Sequence, residues 1–200
     1  MTAIMDRIRD VFGPGPLRRQ DRPLWAAART IDELGELTTR WLAGDIASQP
    51  NYYGPVDVDE DVAPGITDAL VALNLAGFLT HNSQGAYDGP DYAASPWGAW
   101  VYGYADDATF TWLTDVVRHT RFGIHAWPPP ASRGRKRPFG GRPPDGGWPR
   151  IPASEVRWMY SACGADAIAA VCAAWQVTVY DPEIGSNDLW AHLHDAAANR

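Results

Sequence analysis

Four side chains with neutral hydrogen-bonding groups come close together at Thr80, Asn82, Ser83 and Gln84. They follow a short apolar segment, residues 78–80, that predicts a strand. A strand end with hydroxyl and amide groups can orient the amino, carboxylate or ribose groups of a polar ligand. None of the four is an acid, a base or an activated nucleophile, so the pattern indicates binding. The alternative, which composition alone favours, is that these side chains cap a turn.

A second group consists of aromatic side chains, Trp97, Trp100, Tyr102 and Tyr104, within a predicted strand at 97–104. Strand alternation puts the last three of these on one face. Such a face could stack on an adenine or hold a sulfonium by cation–π attraction. The alternative is that these rings are sheet core.

Residues suited to catalysis are few. Asp181, Glu183 and Asp188 could do acid–base work or bind a metal, but a turn and a helix start favour carboxylates for capping anyway. Cys163 has no base paired with it by any motif, and no cysteine–histidine spacing matches a zinc site. The chain also contains no dinucleotide-binding, Walker A or nucleophile-elbow sequence. These features favour a binding module over an enzyme.

The composition excludes several classes of protein. A net charge of −7 argues against general nucleic-acid binding. No segment approaches the ~20 apolar residues of a membrane span, and the start of the sequence is too charged for a secretory signal. We therefore expect a cytoplasmic protein with no membrane association.

The elements that must position these residues alternate loosely between helix and strand. The fold class they predict is α/β (or α+β), a single domain with a mixed sheet covered by helices. Residues 1–23 are expected to be a flexible lead and 24–200 the domain, with a Pro/Gly/Arg-rich loop insertion at about 128–150. Helices are predicted at 31–44, 64–76, 107–118 and 164–174 and after a cap at Asn187; strands are predicted at 78–80, 97–104, 122–127, 154–160 and 176–180.

Four segments in this order resemble the C-terminal regulatory domain of eukaryotic methylenetetrahydrofolate reductase. They are LTTRWLAGDI (37–46), NLAGFLTHNSQ (74–84), Trp97-Gly98 followed by Trp100-Val101-Tyr102, and VTVYDPEIGSNDLW (177–190). That domain is non-catalytic and binds S-adenosylmethionine or S-adenosylhomocysteine. The resemblance spans residues 24–198 without the 128–150 loop, and the catalytic barrel of that enzyme has no counterpart in this sequence.

The resemblance implies that Thr80 and Ser83 contact the ligand, and it makes Trp148 the candidate for a Thr-Trp-Gly segment of the family. An acidic-Thr pair of the family falls on Val62 and Ala63, so its ligand contacts are either absent or supplied by Glu60 or Asp61. The resembled domain takes part in dimerisation, which leaves a homodimer open.

The sequence thus predicts a non-catalytic module that binds S-adenosylmethionine, S-adenosylhomocysteine or a related nucleoside and requires no cofactor. One alternative is a protein–protein interaction domain that keeps the fold but has lost the ligand. A third hypothesis is a small enzyme acting on a nucleoside or sulfonium compound, with His81, Asp181 or Cys163 as candidates. The predicted ligand-binding residues are Thr80, Asn82, Ser83, Gln84, Trp97, Trp100 and Trp148.

Overall fold

The computed structural model describes residues 17–50, 60–86, 98–131, 139–140 and 149–200. Within these residues, helices pack around one five-stranded sheet. The predicted α/β class is therefore confirmed, and each described strand pairing is antiparallel. The described helices lack the combination of length and apolar composition that a membrane crossing requires.

Helices and strands are interspersed along the described part of the chain. The helices are α1 (Arg22–Ala27), α2 (Ile31–Leu42), α3 (Ile66–Leu75), α4 (Asp107–Val117), α5 (Ala153–Met159), α6 (Ala165–Ala173) and α7 (Asp188–Ala198). The strands are β1 (Leu79–Gln84), β2 (Trp100–Ala105), β3 (Gly123–Trp127), β4 (Phe139–Gly140) and β5 (Trp175–Tyr180).

The sheet has the strand order β1-β2-β5-β3-β4, which puts β2 and β5 at its centre. Directly opposed residues of an antiparallel pair share a face of the sheet. One face, the helical face, carries Val101, Val179 and Trp175, and the ring of Trp175 stacks 3.9 Å from that of Phe110 on α4. The other face, which we call the aromatic face, carries the three aromatic residues of β2 and their partners on β5. Those residues are Trp100, Tyr102 and Tyr104, opposite Tyr180, Thr178 and Gln176.

Local sequence signals account for the ends of the predicted helices. The Thr30 hydroxyl caps α2 by accepting a hydrogen bond from the Glu33 amide at 3.1 Å, and Asp106 caps α4 in the same way through the Thr109 amide at 2.7 Å. Gly77 follows α3 with a φ of 81°, a left-handed conformation that glycine adopts without strain. The two caps and the glycine stop thus fix where α2 and α4 begin and where α3 ends.

The strand predicted at 78–80 is longer than its apolar residues indicate. Residues 81–84, expected to form a turn, continue β1 and pair with β2 from Tyr102 to Trp100. β1 is an outer strand of the described sheet and its last four side chains are only half-buried. Polar side chains are tolerated there because they are not enclosed on both faces of the sheet.

The strand predicted at 154–160 is wrong, because this segment forms the helix α5. Its two buried side chains, Val156 and Met159, are three residues apart, which is a helical spacing. Pro152 immediately precedes the helix, where its missing N–H costs nothing. In the sequence, Val156, Trp158 and Tyr160 alternate as they would in a strand, so the pattern of seven residues alone does not decide.

Asn187 is the N-cap residue of α7, as predicted, but it does not cap the helix through its side chain. Instead the Asn187 Oδ1 accepts a hydrogen bond from the Ala86 amide at 2.8 Å, and its Nδ2 donates to the Val62 carbonyl at 2.9 Å. Asn187 therefore joins the segment after β1 to the segment before α3.

Part of the expected flexible lead belongs to the domain. The Asp21 carboxylate is buried and accepts hydrogen bonds from the Ser48 hydroxyl at 2.7 Å and the Ala47 amide at 3.1 Å. Similarly, Phe139 lies within the predicted 128–150 loop but forms β4 and packs edge-on against Phe110, with ring centroids 5.3 Å apart. Residues 1–16, and most of the 128–150 insertion, lie outside the described residues.

Candidate functional site

The register of β1 divides the predicted polar residues between the two faces of the sheet. Thr80 and Ser83 pair with Gly103 and Val101, and therefore lie on the helical face. The Thr80 hydroxyl accepts a hydrogen bond from the Asn74 Nδ2 at 2.7 Å, and the Thr80 amide donates to the Asn74 Oδ1 at 3.1 Å. Thr80 thus serves in a buried network that fixes the start of β1 to α3.

Asn82 and Gln84 lie on the aromatic face with Trp100. Asn82 pairs with Tyr102 and Gln84 with Trp100, and the side chains of Asn82, Gln84 and Trp100 all keep part of their surface accessible. Three of the residues predicted to bind a ligand therefore come together beside Tyr102. The remaining two, Trp97 and Trp148, lie outside the described residues.

A β-bulge at His81 brings a further residue to this face. The register between β1 and β2 shifts between Thr80 and Asn82, so His81 is the extra residue of the strand. Its ring centroid lies 5.8 Å from that of Tyr102, 5.9 Å from that of Tyr104 and 6.1 Å from that of Tyr160, the residue that follows α5. We call these four residues the His–Tyr cluster.

The His–Tyr cluster is uncharged at neutral pH. Although part of the His81 side chain remains accessible, protein surrounds the imidazole, and burial lowers its pKa to about 4. Burial also raises the pKa of Tyr102, Tyr104 and Tyr160 above the ordinary value, with a further contribution to Tyr102 from its neighbour Tyr104. A cation beside this cluster would therefore meet aromatic faces without a competing positive charge.

Two hydroxyl groups of the cluster are buried and interact with each other, but neither makes a hydrogen bond of good geometry within the described part of the chain. They belong to Tyr102 and Tyr104, whose rings are 5.7 Å apart in a T-shaped arrangement. Such groups keep the cost of leaving water, about 1–3 kcal/mol each, without the gain of a hydrogen bond. Stability alone does not explain them, and groups of this kind are concentrated at sites with another role.

We expect Tyr104→Phe to raise the free energy of unfolding by about 1 kcal/mol, because it leaves the ring in place and removes a buried hydroxyl that makes no hydrogen bond of good geometry with the described residues. Urea denaturation at pH 7 measures the change. Tyr180→Phe is the comparison variant, since Tyr180 also lies on the aromatic face but takes part in a further interaction. A lower stability for Tyr104→Phe would show that its hydroxyl is bonded.

The carboxylates after β5 form an ion-pair network. Arg121 donates to Asp181 through Nε at 3.2 Å and Nη2 at 2.9 Å, and to Asp188 through Nη2 at 2.7 Å. Burial opposes the charged form of Asp181, but Arg121, the Glu183 amide and the Ser186 hydroxyl together hold the pKa of its carboxyl below the ordinary value. Asp181 is therefore a charged structural group, which agrees with the capping interpretation.

The cysteines give no sign of nucleophilic chemistry. Cys163 is buried and Cys172 is partly buried, and both are free thiols. Burial raises the pKa of the Cys163 thiol to about 12, so it is protonated at neutral pH. Since the thiolate is the nucleophile, this residue is unsuited to covalent catalysis. Among the described residues no group of three or more histidine, cysteine or acidic side chains is arranged to hold a metal ion.

Glu60, one of the two residues named as a replacement for the acidic-Thr pair, has a structural role at the start of α3. Its carboxylate accepts hydrogen bonds from the Gly65 amide at 2.6 Å and from the Thr67 hydroxyl at 2.8 Å. The first of these bonds is the largest cause of a lowered Glu60 pKa. An acidic residue and a threonine are therefore paired at the start of α3.

Sequence reasoning named Tyr102, Tyr104 and His81 as candidates without predicting that they form a cluster, and it missed Tyr160. The alternation of β2 was the signal for the two tyrosines. No signal of the same kind exists for Tyr160, because it reaches the cluster through α5, a helix that the sequence pattern predicted as a strand.

Comparison with known proteins gives one match. The model of a family described as a domain of unknown function (DUF6919) matches residues 20–135, which is more than half of the 200 residues. The matched range includes β1, β2 and β3, and ends before Tyr160 and β5. No curated protein matches the chain.

Proposed function

The chain belongs to the DUF6919 family, and we propose that it is a small-molecule-binding module whose ligand lies on the aromatic face of the sheet. The observation that carries this proposal is the placement of Asn82, Gln84 and Trp100 on one face beside Tyr102. Amide groups and an indole at a partly accessible sheet end provide both hydrogen bonds and a stacking surface.

The ligand class we propose is S-adenosylmethionine, S-adenosylhomocysteine or a related nucleoside. The resemblance to the regulatory domain supplies the class, and the chemistry of the aromatic face supports it. The indole of Trp100 can stack on an adenine, and the amides of Asn82 and Gln84 can bond to ribose or amino acid groups. A sulfonium is attracted by the negative face of a tyrosine ring, and the uncharged His81 does not repel it.

The residues beneath this end have a positioning role in the proposal. His81, Tyr104 and Tyr160 are packed against one another, with the Tyr160 hydroxyl 3.5 Å from the His81 Nδ1. The rings of His81 and Tyr104 contact the ring of Tyr102 and so help to position it. No acid, base or nucleophile enters the proposal, so the module binds its ligand without converting it.

The test is isothermal titration calorimetry with S-adenosylmethionine, S-adenosylhomocysteine and adenosine. We expect micromolar binding, weakened about tenfold or more by Trp100→Leu, because base stacking on an aromatic ring contributes about 1–3 kcal/mol. Ser83→Ala on the helical face is the matched control and should leave the affinity unchanged.

The outcomes separate the parts of the proposal. Binding lost in Ser83→Ala but kept in Trp100→Leu would move the ligand to the helical face, as the resemblance implies for Thr80 and Ser83. If none of the three ligands gives a binding signal up to millimolar concentration, the proposed ligand class is overturned. That result would favour the protein–protein interaction domain. If chromatography shows that a bound ligand is converted to another compound, the chain is instead an enzyme.

A further inference from the structure

A groove away from the aromatic face holds a guanidinium group of the chain itself. The groove has a volume of about 490 Å³ and lies between the ends of α3 and α7 and the starts of α2 and α4. Arg200, which follows α7, extends its side chain into this space. Its Nη1 donates to the carbonyl of Ala76, and its Nη2 donates to the Thr109 hydroxyl at 3.2 Å.

An aromatic ring completes the contacts of the guanidinium. The Arg200 Cζ lies 4.7 Å from the ring centroid of Trp112, one turn of α4 after Thr109. The group is thus bonded by a carbonyl oxygen and a hydroxyl oxygen and lies over an indole. Because a guanidinium is planar, it can donate hydrogen bonds in two directions while it stacks on a ring. An ammonium lacks this combination.

The electrostatics of the groove suit a cation. Ala76 is the C-cap of α3, and the carbonyl groups at a helix C-terminus carry partial negative charge. Asp32 and Asp106 add two exposed carboxylates to the lining. The apolar part of the lining includes Leu75, which is 63% exposed and can cover the methylene stem of an arginine-like molecule.

Gly77 keeps the floor of this site open. A Cβ atom at Gly77 would lie 3.1 Å from the Thr109 Oγ1, 3.3 Å from the Asp32 Oδ1 and 4.0 Å from the Arg200 Nη1. The hydroxyl, the carboxylate and the guanidinium therefore converge over one glycine. Its left-handed backbone, required by the end of α3, also creates the space that the guanidinium uses.

We propose that this groove is a binding site for small guanidinium compounds, the class of free arginine and agmatine, and that Arg200 occupies it in competition with them. The ligand places its guanidinium on Ala76 and Thr109 and its stem beside Leu75. This site shares no residue with the aromatic face, so the two proposals stand or fall separately.

The test compares agmatine with putrescine, which carries an ammonium where agmatine has its guanidinium. Titrated into an Arg200→Ala chain, agmatine should bind at least about tenfold more tightly than to the unaltered chain, where Arg200 competes for the groove. It should also bind about tenfold more tightly than putrescine, whose ammonium cannot stack flat on the indole while it donates in two directions. Adding Trp112→Leu to Arg200→Ala should abolish the difference between the two amines.

A second measurement locates the ligand. Amide shifts of Gly77 and Thr109 in nuclear magnetic resonance spectra should move with agmatine in the Arg200→Ala chain and less in the unaltered chain. The proposal is overturned if a folded Arg200→Ala chain binds no agmatine at about 10 mM, or if it binds both amines equally. In either case the contacts of Arg200 serve only to fix the end of α7 to the rest of the chain.

Discussion

Arg121→Met is expected to lower the free energy of unfolding at pH 7, and by more than the loss of a fully exposed ion pair does. The substitution removes both donors of a bidentate pair and leaves the carboxylate of Asp181, which has no accessible surface, without its cation. The Glu183 amide and the Ser186 hydroxyl still donate to the Asp181 carboxylate in this variant. Arg121 itself is 41% exposed, so water screens its side of the pair and limits the loss.

Loss of the ion pair between Arg121 and Asp181 should also disturb the structure of the aromatic face. The Asp181 amide donates to the Ala99 carbonyl at 2.8 Å, and the Gly98 amide donates to the Asp181 carbonyl at 3.1 Å. A Cβ at Gly98 would lie 2.3 Å from the Glu183 carbonyl oxygen, which shows how closely the two segments approach. The ion pair therefore fixes the point where β2 begins, next to Trp100.

Arg118→Met is the matched control for this prediction. Arg118 pairs with Asp115 at 2.6 Å, but both side chains are more than half exposed. Pairs of this kind contribute about 0–1 kcal/mol, so the control should change stability by no more than about 0.5 kcal/mol. Urea denaturation of both variants makes the comparison, and equal losses would mean that the Asp181 network is no more than a surface feature.

Acid should destabilise the chain through His81 by about 2 kcal/mol between pH 7 and pH 4.5. Burial lowers the pKa of His81 from 6.5 to about 4, so between these values the unfolded chain binds a proton that the folded chain does not. Stability therefore falls as the pH drops through this window. The part of the window between pH 6.5 and pH 4.5 converts to about 2–3 kcal/mol at 1.36 kcal/mol for each pH unit.

His81→Gln removes this contribution and leaves the acid sensitivity of the carboxylates in place. The free energy of unfolding of the unaltered chain should consequently fall about 2 kcal/mol further than that of His81→Gln. Tyr160→Phe is the control, since it keeps the imidazole within the cluster and changes only the hydroxyl 3.5 Å from Nδ1. An imidazole resonance of His81 that titrates near 6.5 would contradict the prediction.

The sequence predicts an element correctly where a short local pattern is compatible with only one type of secondary structure. The α2 helix, predicted at 31–44 and observed as Ile31–Leu42, has buried residues at helical spacing and a hydroxyl cap, and both signals lie within a few residues. By contrast, α5 has only two buried side chains, and it packs against α6. A pattern of seven residues does not contain the residues of α6, so it cannot report this packing.

The bulge at His81 could not be predicted because it is a property of the pairing between two strands that lie far apart in the sequence. A Cβ at Gly103, opposite Thr80, would lie 2.3 Å from the Leu79 carbonyl oxygen, so the path of β1 depends on a glycine in β2. This register decides that Asn82 and Gln84 share a face with Trp100 while Ser83 does not. Composition therefore identified the residue types of the candidate site, and the division between faces required the structure.

The bulge also bears on how the chain behaves at high concentration. An outer strand with regular spacing presents a row of amide and carbonyl groups that can pair with the same strand of another molecule and begin aggregation. In β1 the extra residue at His81 interrupts that row after Thr80, so a second strand could extend the ladder over only a few residues before losing register. The feature that brings an imidazole to the tyrosines thus also discourages edge-to-edge association.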